Sequence, residues 1–256
     1  MGMLGPLLVS RNRAPETMSN YKAVLTDVDG TMVNSEAIHG AALKQVAKAY
    51  YGVELTDQQL QAINGLGAKK RFELVQQARR DAGLDPMIKE NKFREHLAAY
   101  FVAHWRAIEP MPGAKEFLQR ADEQGLRQAA VTNSQANIAD VALSSLGHDR
   151  ARLEFTIAIE DVQEGKPSPE GYLRAAAKLE LTSPDQRRDI IALEDSFVGA
   201  EAAKQAGLTV IQIQPDPAHI HPDADLVVSR LDDPRVAQFV GFGPRPQAQP
   251  GFGKAA

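Results

Sequence analysis

The segment Ala23-Val24-Leu25-Thr26-Asp27-Val28-Asp29-Gly30-Thr31 runs from an apolar stretch into two carboxylates and a glycine. Read as a strand and the turn that ends it, the segment points Asp27 and Asp29 to one side, because strand side chains alternate. Gly30 permits a sharp turn and lets main-chain N–H groups approach an anion. Two carboxylates ~4 Å apart in an effective dielectric near ~20 repel by about 4 kcal/mol. Something cationic must offset that repulsion. The plainer alternative, an Asp-Gly turn with a helix-capping aspartate, has to be weighed against the rest of the chain.

Further short apolar runs follow at Ala129-Ala130-Val131, Phe155 to Ile159, Ile190 to Leu193, Val210 to Ile213 and Leu226 to Val228. Helical patterns separate them, which indicates βαβ units and a parallel sheet. Ala114, Phe117, Leu118 and Ala121 fall at helical spacing, and Gly125 supplies a left-handed stop. Ser168-Pro169 reads as an N-cap followed by proline at the first helical position. The helix after Asp195 ends at Gly207. From about Ala37 to Arg106 the alternation stops and only helical periodicity remains, with Phe93, Leu97, Tyr100, Phe101, His104 and Ile108 in one stripe. Thr56 and Gln59 fit a capping box there. The expected fold is therefore α/β, a Rossmann-like parallel sheet core with an inserted all-helical cap domain. The core is assigned to residues 21–36 and 107–234, the cap to 37–106, and flexible extensions to 1–20 and 235–256. Val33 to Glu36 and Glu109 to Gly113 would be the hinges.

Composition narrows the function. The 256 residues are 43% hydrophobic and 24% charged, enough apolar material for a real core. Lysine and arginine number 29 against 33 aspartates and glutamates, a net charge of −4, which argues against a broad nucleic-acid-binding face. The absence of cysteine excludes disulfides, cysteine-ligated metals and a thiol nucleophile. No apolar run reaches the ~18 residues of a membrane span. A cytoplasmic monomer or weak homodimer, with no membrane or nucleic-acid partner, is expected.

The remaining strand ends carry polar groups too. Thr132-Asn133-Ser134 follows the second long strand, Glu194-Asp195-Ser196 the fourth, and Lys166 precedes the Ser168 helix. Each alone has an ordinary explanation as a cap or a surface lysine. Together they converge on the edge where open α/β sheets place their ligands. Three aspartates contribute −3 and a phosphoryl dianion would add −2, of which a divalent cation plus Lys166 would return +3, and oxygen ligands of this kind suit Mg²⁺. The cluster is expected to serve phosphoryl transfer, where positioning and electrostatics do most of the catalysis.

In order and spacing, Asp27-Val28-Asp29-Gly30-Thr31, Thr132-Asn133, Lys166-Pro167 and Glu194-Asp195-Ser196 resemble the four motifs of the haloacid dehalogenase superfamily. The insertion resembles the cap of its β-phosphoglucomutase/phosphatase-like branch. The resemblance covers roughly Tyr21 to Asp233. It implies that Asp27 is the nucleophile and forms an aspartyl-phosphate, and that Asp29 protonates the leaving oxygen and then activates water. It implies that Thr132 and Asn133 bind phosphoryl oxygens and that Lys166 holds nucleophile and phosphate together. Mg²⁺ would bind the Asp27 side chain, the Asp29 carbonyl and Asp195, with Glu194 close by. Gly30, Thr31 and Ser134 complete the expected substrate-binding turn. Because Asp29 must alternately hold and lose a proton, its pKa is expected to be raised.

Asp29 disfavours a dehalogenase or a phosphonoacetaldehyde hydrolase, which lack that second acid. Lys69, Lys70 and Arg71 are cap candidates for substrate contact, or else the solvated start of a helix. Ala68 stands where β-phosphoglucomutases carry an arginine for the distal phosphate. His39 matches a hinge histidine of the mutase branch and would help control Asp29, or else it is a helix-surface histidine. The expected activity is that of a Mg²⁺-dependent phosphatase on a small phosphorylated metabolite, a sugar or polyol phosphate, with a phosphohexomutase as alternative. A phosphate-binding protein without turnover is the remaining alternative.

Overall fold

Ala23–Thr26 forms strand β1, with all four side chains buried. The computed structural model describes residues 20–63 and 68–243. The first 19 residues, the 64–67 stretch and the chain beyond residue 243 lie outside the described residues. After β1 the chain makes β2 (Val33–Asn34), then four helices: α1 (Glu36–Tyr51), α2 (Asp57–Gln61), α3 (Ala68–Asp81) and α4 (Glu90–His104). It continues through β3 (Glu109–Pro110), α5 (Ala114–Glu123), β4 (Arg127–Val131), α6 (Ala136–Leu143), β5 (Thr156–Ile157), α7 (Glu170–Lys178) and α8 (Pro184–Arg188). The last elements are β6 (Ile190–Glu194), α9 (Phe197–Gln205), β7 (Thr209–Ile213), β8 (Leu226–Val228) and α10 (Pro234–Val240).

Six strands make one sheet in the order β5-β4-β1-β6-β7-β8, every pair parallel. Numbered along the sheet-forming chain this is the doubly wound order, and the switch lies between β1 and β6. Strand alternation divides the core into two layers. Val24, Ala130, Ile191 and Ile211 face the layer of Phe117, Leu118 and Leu143. Leu25, Ala129, Ala192 and Val210 face that of Tyr172, Ala175 and Ala203. At ~1.5–3 kcal/mol for each large aliphatic side chain, these layers are the main stabilising term.

Helices α1 to α4 form the cap, with a core of their own around Leu43, Val46, Val75, Phe93 and Leu97. The stripe read along α4 divides between two cores. Phe93 and Leu97 pack within the cap, whereas Ala98 and Phe101 belong to the sheet's core. The cap is anchored below by the antiparallel pair β2–β3, in which Val33 lies opposite Pro110 and Asn34 opposite Glu109. The two expected hinge segments are thus hydrogen-bonded neighbours. Thr56 caps α2 in the expected box with Gln59. Helix α7 opens at Glu170, a residue later than Ser168-Pro169 suggests, with the Ser168 hydroxyl accepting from the Glu170 N–H at 3.3 Å.

One boundary differs from the expectation. A tail was expected from Arg235, but Pro234–Val240 is a helix with Val236 and Val240 buried against the sheet's core. Asp233 caps it by accepting from the Arg235 N–H at 2.9 Å. The nearby glycines and prolines hid an apolar face at i and i+4.

Candidate active site

Because β4 and β6 are the two neighbours of β1 and all run parallel, their ends bring Thr132 and Glu194 to either side of Asp27. The β1 turn is closed by Gly30 N–H donating to the Val33 carbonyl at 2.8 Å. Gly30 has φ +83, and an added Cβ would run into the Asp195 carboxylate. Glycine is required twice over, for the backbone and for the space.

Lys166 is the hub. Its ammonium has three protons, and three acceptors take them: Asp27 Oδ1 at 2.6 Å, Glu194 Oε1 at 2.5 Å and the Val131 carbonyl at 2.8 Å. Burial pulls its pKa down, but Asp27 and Glu194 outweigh burial and hold it above the usual lysine range. Burial pushes the Asp27 carboxyl up; Lys166 opposes this, Glu194 and Asp29 add to it, and the value reaches about 8. Glu194 is fully buried and also receives the Tyr172 hydroxyl, while Ser196 Oγ lies 3.3 Å from its second oxygen. Gly199, in the first turn of α9, passes so close that a methyl there would collide with this carboxylate.

Asp27, Glu194 and Asp195 each offer an oxygen, all within 4.8 Å of one another. Such an all-oxygen set fits a hard divalent cation. Glu194 is already addressed by three donors, so direct ligation falls first to Asp27 and Asp195. Gln214 braces the latter: its amide donates to the Asp195 carbonyl at 2.9 Å and accepts from the Asp216 N–H at 3.0 Å.

The Asp29 side chain points away from this cluster. Oδ1 accepts from Ser35 and from His39 Nε2 at 3.0 Å; Oδ2 accepts from Ser134 Oγ at 2.6 Å. Arg71 lies 3.1 Å from His39 Nδ1. A guanidinium can only donate, so Nδ1 accepts and Nε2 carries the proton given to Asp29. The expected upward pKa shift is not found. Burial raises the Asp29 carboxyl, but the hydrogen bonds it accepts from His39, Ser134 and Ser35 hold it well below the usual carboxylate range. As placed here, Asp29 is poised as a carboxylate.

Several expected substrate contacts are engaged elsewhere. The Asn133 amide brackets the Lys166 main chain, accepting from its N–H at 2.8 Å and donating to its carbonyl at 3.2 Å. Its side chain thereby builds the lysine loop. Thr31 is fully buried with its hydroxyl aimed at Asp195 Oδ1, 3.5 Å away. Ser134 holds Asp29, and its N–H donates to Thr132 Oγ1 at 3.0 Å. In the cap, Lys70 pairs with Glu73 at 2.7 Å and Lys69 is exposed, so of the three cations only Arg71 meets a site residue. Ser35, Tyr172, Gln214 and Gly199 were not singled out from the sequence. Tyr172 shares helical spacing with Ala175, Ala176 and Leu179, so it reads as core; its hydroxyl among alanines was the available signal.

The described residues contain no helix long and apolar enough to cross a membrane. A profile of haloacid dehalogenase-like hydrolases matches residues 21–207. The chain is 29% identical to validoxylamine A 7'-phosphate phosphatase of Streptomyces hygroscopicus subsp. limoneus, over 84% of this chain and 96% of that protein. It is 26% identical to fructose-1-phosphate phosphatase of Escherichia coli (strain K12), over 76% and 97% respectively. Among solved structures, CbbY from Rhodobacter sphaeroides in complex with phosphate superimposes with a TM-score of 0.73 at 26% identity, covering 82% of this chain and 95% of that one. With the motifs gathered at one sheet edge beneath a helical cap, the chain belongs to the haloacid dehalogenase-like hydrolases, as a phosphatase acting on small phosphorylated molecules.

Proposed function

We propose that this enzyme hydrolyses a sugar or polyol phosphate by way of an aspartyl-phosphate on Asp27, with Mg²⁺ at the acidic cluster. The observation that carries the reading is that Asp27 and Glu194 both join the Lys166 ammonium to the cation-binding oxygens, but Glu194 takes donors on both of its oxygens, which leaves Asp27 as the carboxylate available to attack. Asp27 and Asp195, with the Asp29 carbonyl, would hold Mg²⁺. When bound, the ion supplies positive charge that neutralises the phosphoryl oxygens.

The chain's own groups supply the rest. The free oxygen of Asp27 attacks phosphorus while the ester oxygen leaves with a proton from Asp29. In the second step Asp29, now a carboxylate, takes a proton from water as that water attacks the acyl-phosphate, and Asp27 is regenerated. Lys166 holds Asp27 in place, and Thr132 faces the transferred group. Since Asp29 is held as a carboxylate here, it must be released from His39 and Ser35 and pick up its proton when substrate enters. Two relatives, one named for validoxylamine A 7'-phosphate and one for fructose 1-phosphate, support the sugar or polyol class.

The test is phosphate release from p-nitrophenyl phosphate and a panel of phosphorylated metabolites, with and without EDTA. Release should need Mg²⁺ and be lost in Asp27→Asn; full release from that variant would overturn the nucleophile assignment. His39, at the mutase-branch position, keeps a phosphohexomutase in view. Isomerisation of a hexose 1-phosphate, primed by a bisphosphate, faster than phosphate release would favour that reading instead.

A further inference from the structure

Two chambers adjoin the candidate site. The smaller, about 390 Å³, lies under the cap and is lined by His39, Arg71, Leu43 and Leu60. The larger, about 790 Å³, opens beside Asp195 and is walled by Phe197 and the Gln214–His219 loop that follows β7. Asn34 of β2 and Gln61 of α2 line both, so the chambers meet at these two residues.

We propose that the larger chamber is a second subsite for the leaving group, and that it selects phosphate esters of uncharged polyhydroxylated molecules carrying a second ring. The inference rests on the phosphatase reading above and narrows its substrate class. Size is the first argument. A chamber of 790 Å³ lies toward the upper end of small-molecule pockets, which run from roughly 300 to 1,000 Å³. The smaller chamber, beside the residues that hold Asp29, suffices for one ring.

Chemistry is the second. Asn34 and Gln61 are exposed carboxamides that make no side-chain hydrogen bond among the described residues. A carboxamide both donates and accepts, as a hydroxyl does, so such groups match vicinal hydroxyls without demanding charge. Phe197, 44% exposed at the start of α9, offers an apolar face to the C–H side of a sugar-like ring. The third argument is electrostatic. Among the described residues no lysine or arginine lines the larger chamber, and the His219 imidazole is already 3.0 Å from the Asp216 carboxylate. With no such cation to receive it, the chamber disfavours a second phosphate.

The test compares kcat/KM of the full-length enzyme with Mg²⁺ across three groups of probes. These are disaccharide monophosphates (trehalose 6-phosphate and sucrose 6-phosphate), monosaccharide and glycerol monophosphates, and fructose 1,6-bisphosphate, with p-nitrophenyl phosphate as the reference. At least one disaccharide phosphate should exceed every member of the other two groups by about ten-fold, the scale of one well-made remote contact. Phe197→Ala and Gln61→Ala should lower the ratio of disaccharide to monosaccharide kcat/KM by a similar factor. The loss should fall mainly on KM, because the contact is remote from the reacting bond. Phe197→Tyr, which keeps the ring, should retain the ratio. Equal use of the three groups, preference for the bisphosphate, or variants that slow every substrate alike would overturn the inference. If p-nitrophenyl phosphate is hydrolysed and the discrimination is absent, the subsite alone is wrong. If it is not hydrolysed at all, the phosphatase reading has failed and this one with it.

Discussion

Tyr172 shows what a single hydroxyl does here. The ring fills the layer beneath β6, and its O–H reaches Glu194, which must also hold Lys166. Burial, then the Glu194 and Asp27 charges, raise the phenol well above its ordinary pKa, so it remains a donor throughout the working range. Tyr172→Phe keeps the volume and removes one charge-assisted hydrogen bond, worth about 1.5–3 kcal/mol. kcat should fall about ten-fold with KM little changed and the fold intact; an unchanged kcat would remove Tyr172 from the lysine's support. Asp27 gives a pH prediction. Its folded value of about 8 lies above the ordinary 3.8, so the proton it binds stabilises the apo fold below 3.8, and that contribution is lost as pH rises through 8. A cation needs the carboxylate, so binding must expel that proton. Mg²⁺ should therefore raise Tm more at pH 8.5 than at 6.5, and calorimetry at pH 6.5 in buffers of different ionisation enthalpy should show proton release. Equal increments at both pH values would contradict it. Asp27, Lys166 and Asp195 were legible from the sequence because strand ends advertise themselves. The downward shift of Asp29 was not, because it depends on the start of α1, with Ser35 and His39, meeting Ser134 from a segment about a hundred residues away.

Elements carry the site through their turns. In the β6–α9 connection Ser196 caps the helix by accepting from the Gly199 N–H at 3.1 Å, which seats that residue against Glu194. Gly199→Ala should displace Glu194 and with it Lys166, lowering stability by about 1–3 kcal/mol through overpacking and reducing kcat disproportionately. Thr56→Ala, at the exposed cap of α2, should cost about 1 kcal/mol in thermal unfolding without that loss of turnover. If the two variants lost activity in proportion to stability, the Gly199 contact would be merely structural. The main strands and their parallel arrangement could be read because β1, β4, β6 and β7 are short apolar runs separated by marked helix stops. Helix α10 could not, because Pro234 and Gly241, which start and end it, look like tail composition until Val236 and Val240 are seen buried.

At the scale of the whole molecule, the question is how a cap rooted in the core can move. Helix α4 enters the sheet's core through Ala98 and Phe101, and its other half belongs to the cap through Phe93 and Leu97. Ser35 and His39, both on Asp29, sit just after β2 and on α1, so cap position and the state of Asp29 are mechanically joined. Closure over bound substrate would exclude water during the first transfer. It would also have to break the contacts that now hold Asp29 as a carboxylate. Trp105, the single tryptophan, lies in the short 3₁₀ turn between α4 and β3, where any rotation of the cap must pass. The Arg106 guanidinium stands 5.1 Å from its ring centroid, and the residue lines neither chamber beside the site. Its emission is therefore a reporter of motion and not of ligand contact. Mg²⁺ with beryllofluoride, a mimic of the phosphoryl group on Asp27, should shift Trp105 emission, and Asp27→Asn should abolish the shift. Hydrogen exchange at residues 33–36 and 109–113 should slow in the same complex, since both strands of the β2–β3 ribbon are held when the cap is closed. A wild-type enzyme that binds the mimic with neither response would have a fixed cap, and the proton on Asp29 would then have to arrive without release from His39.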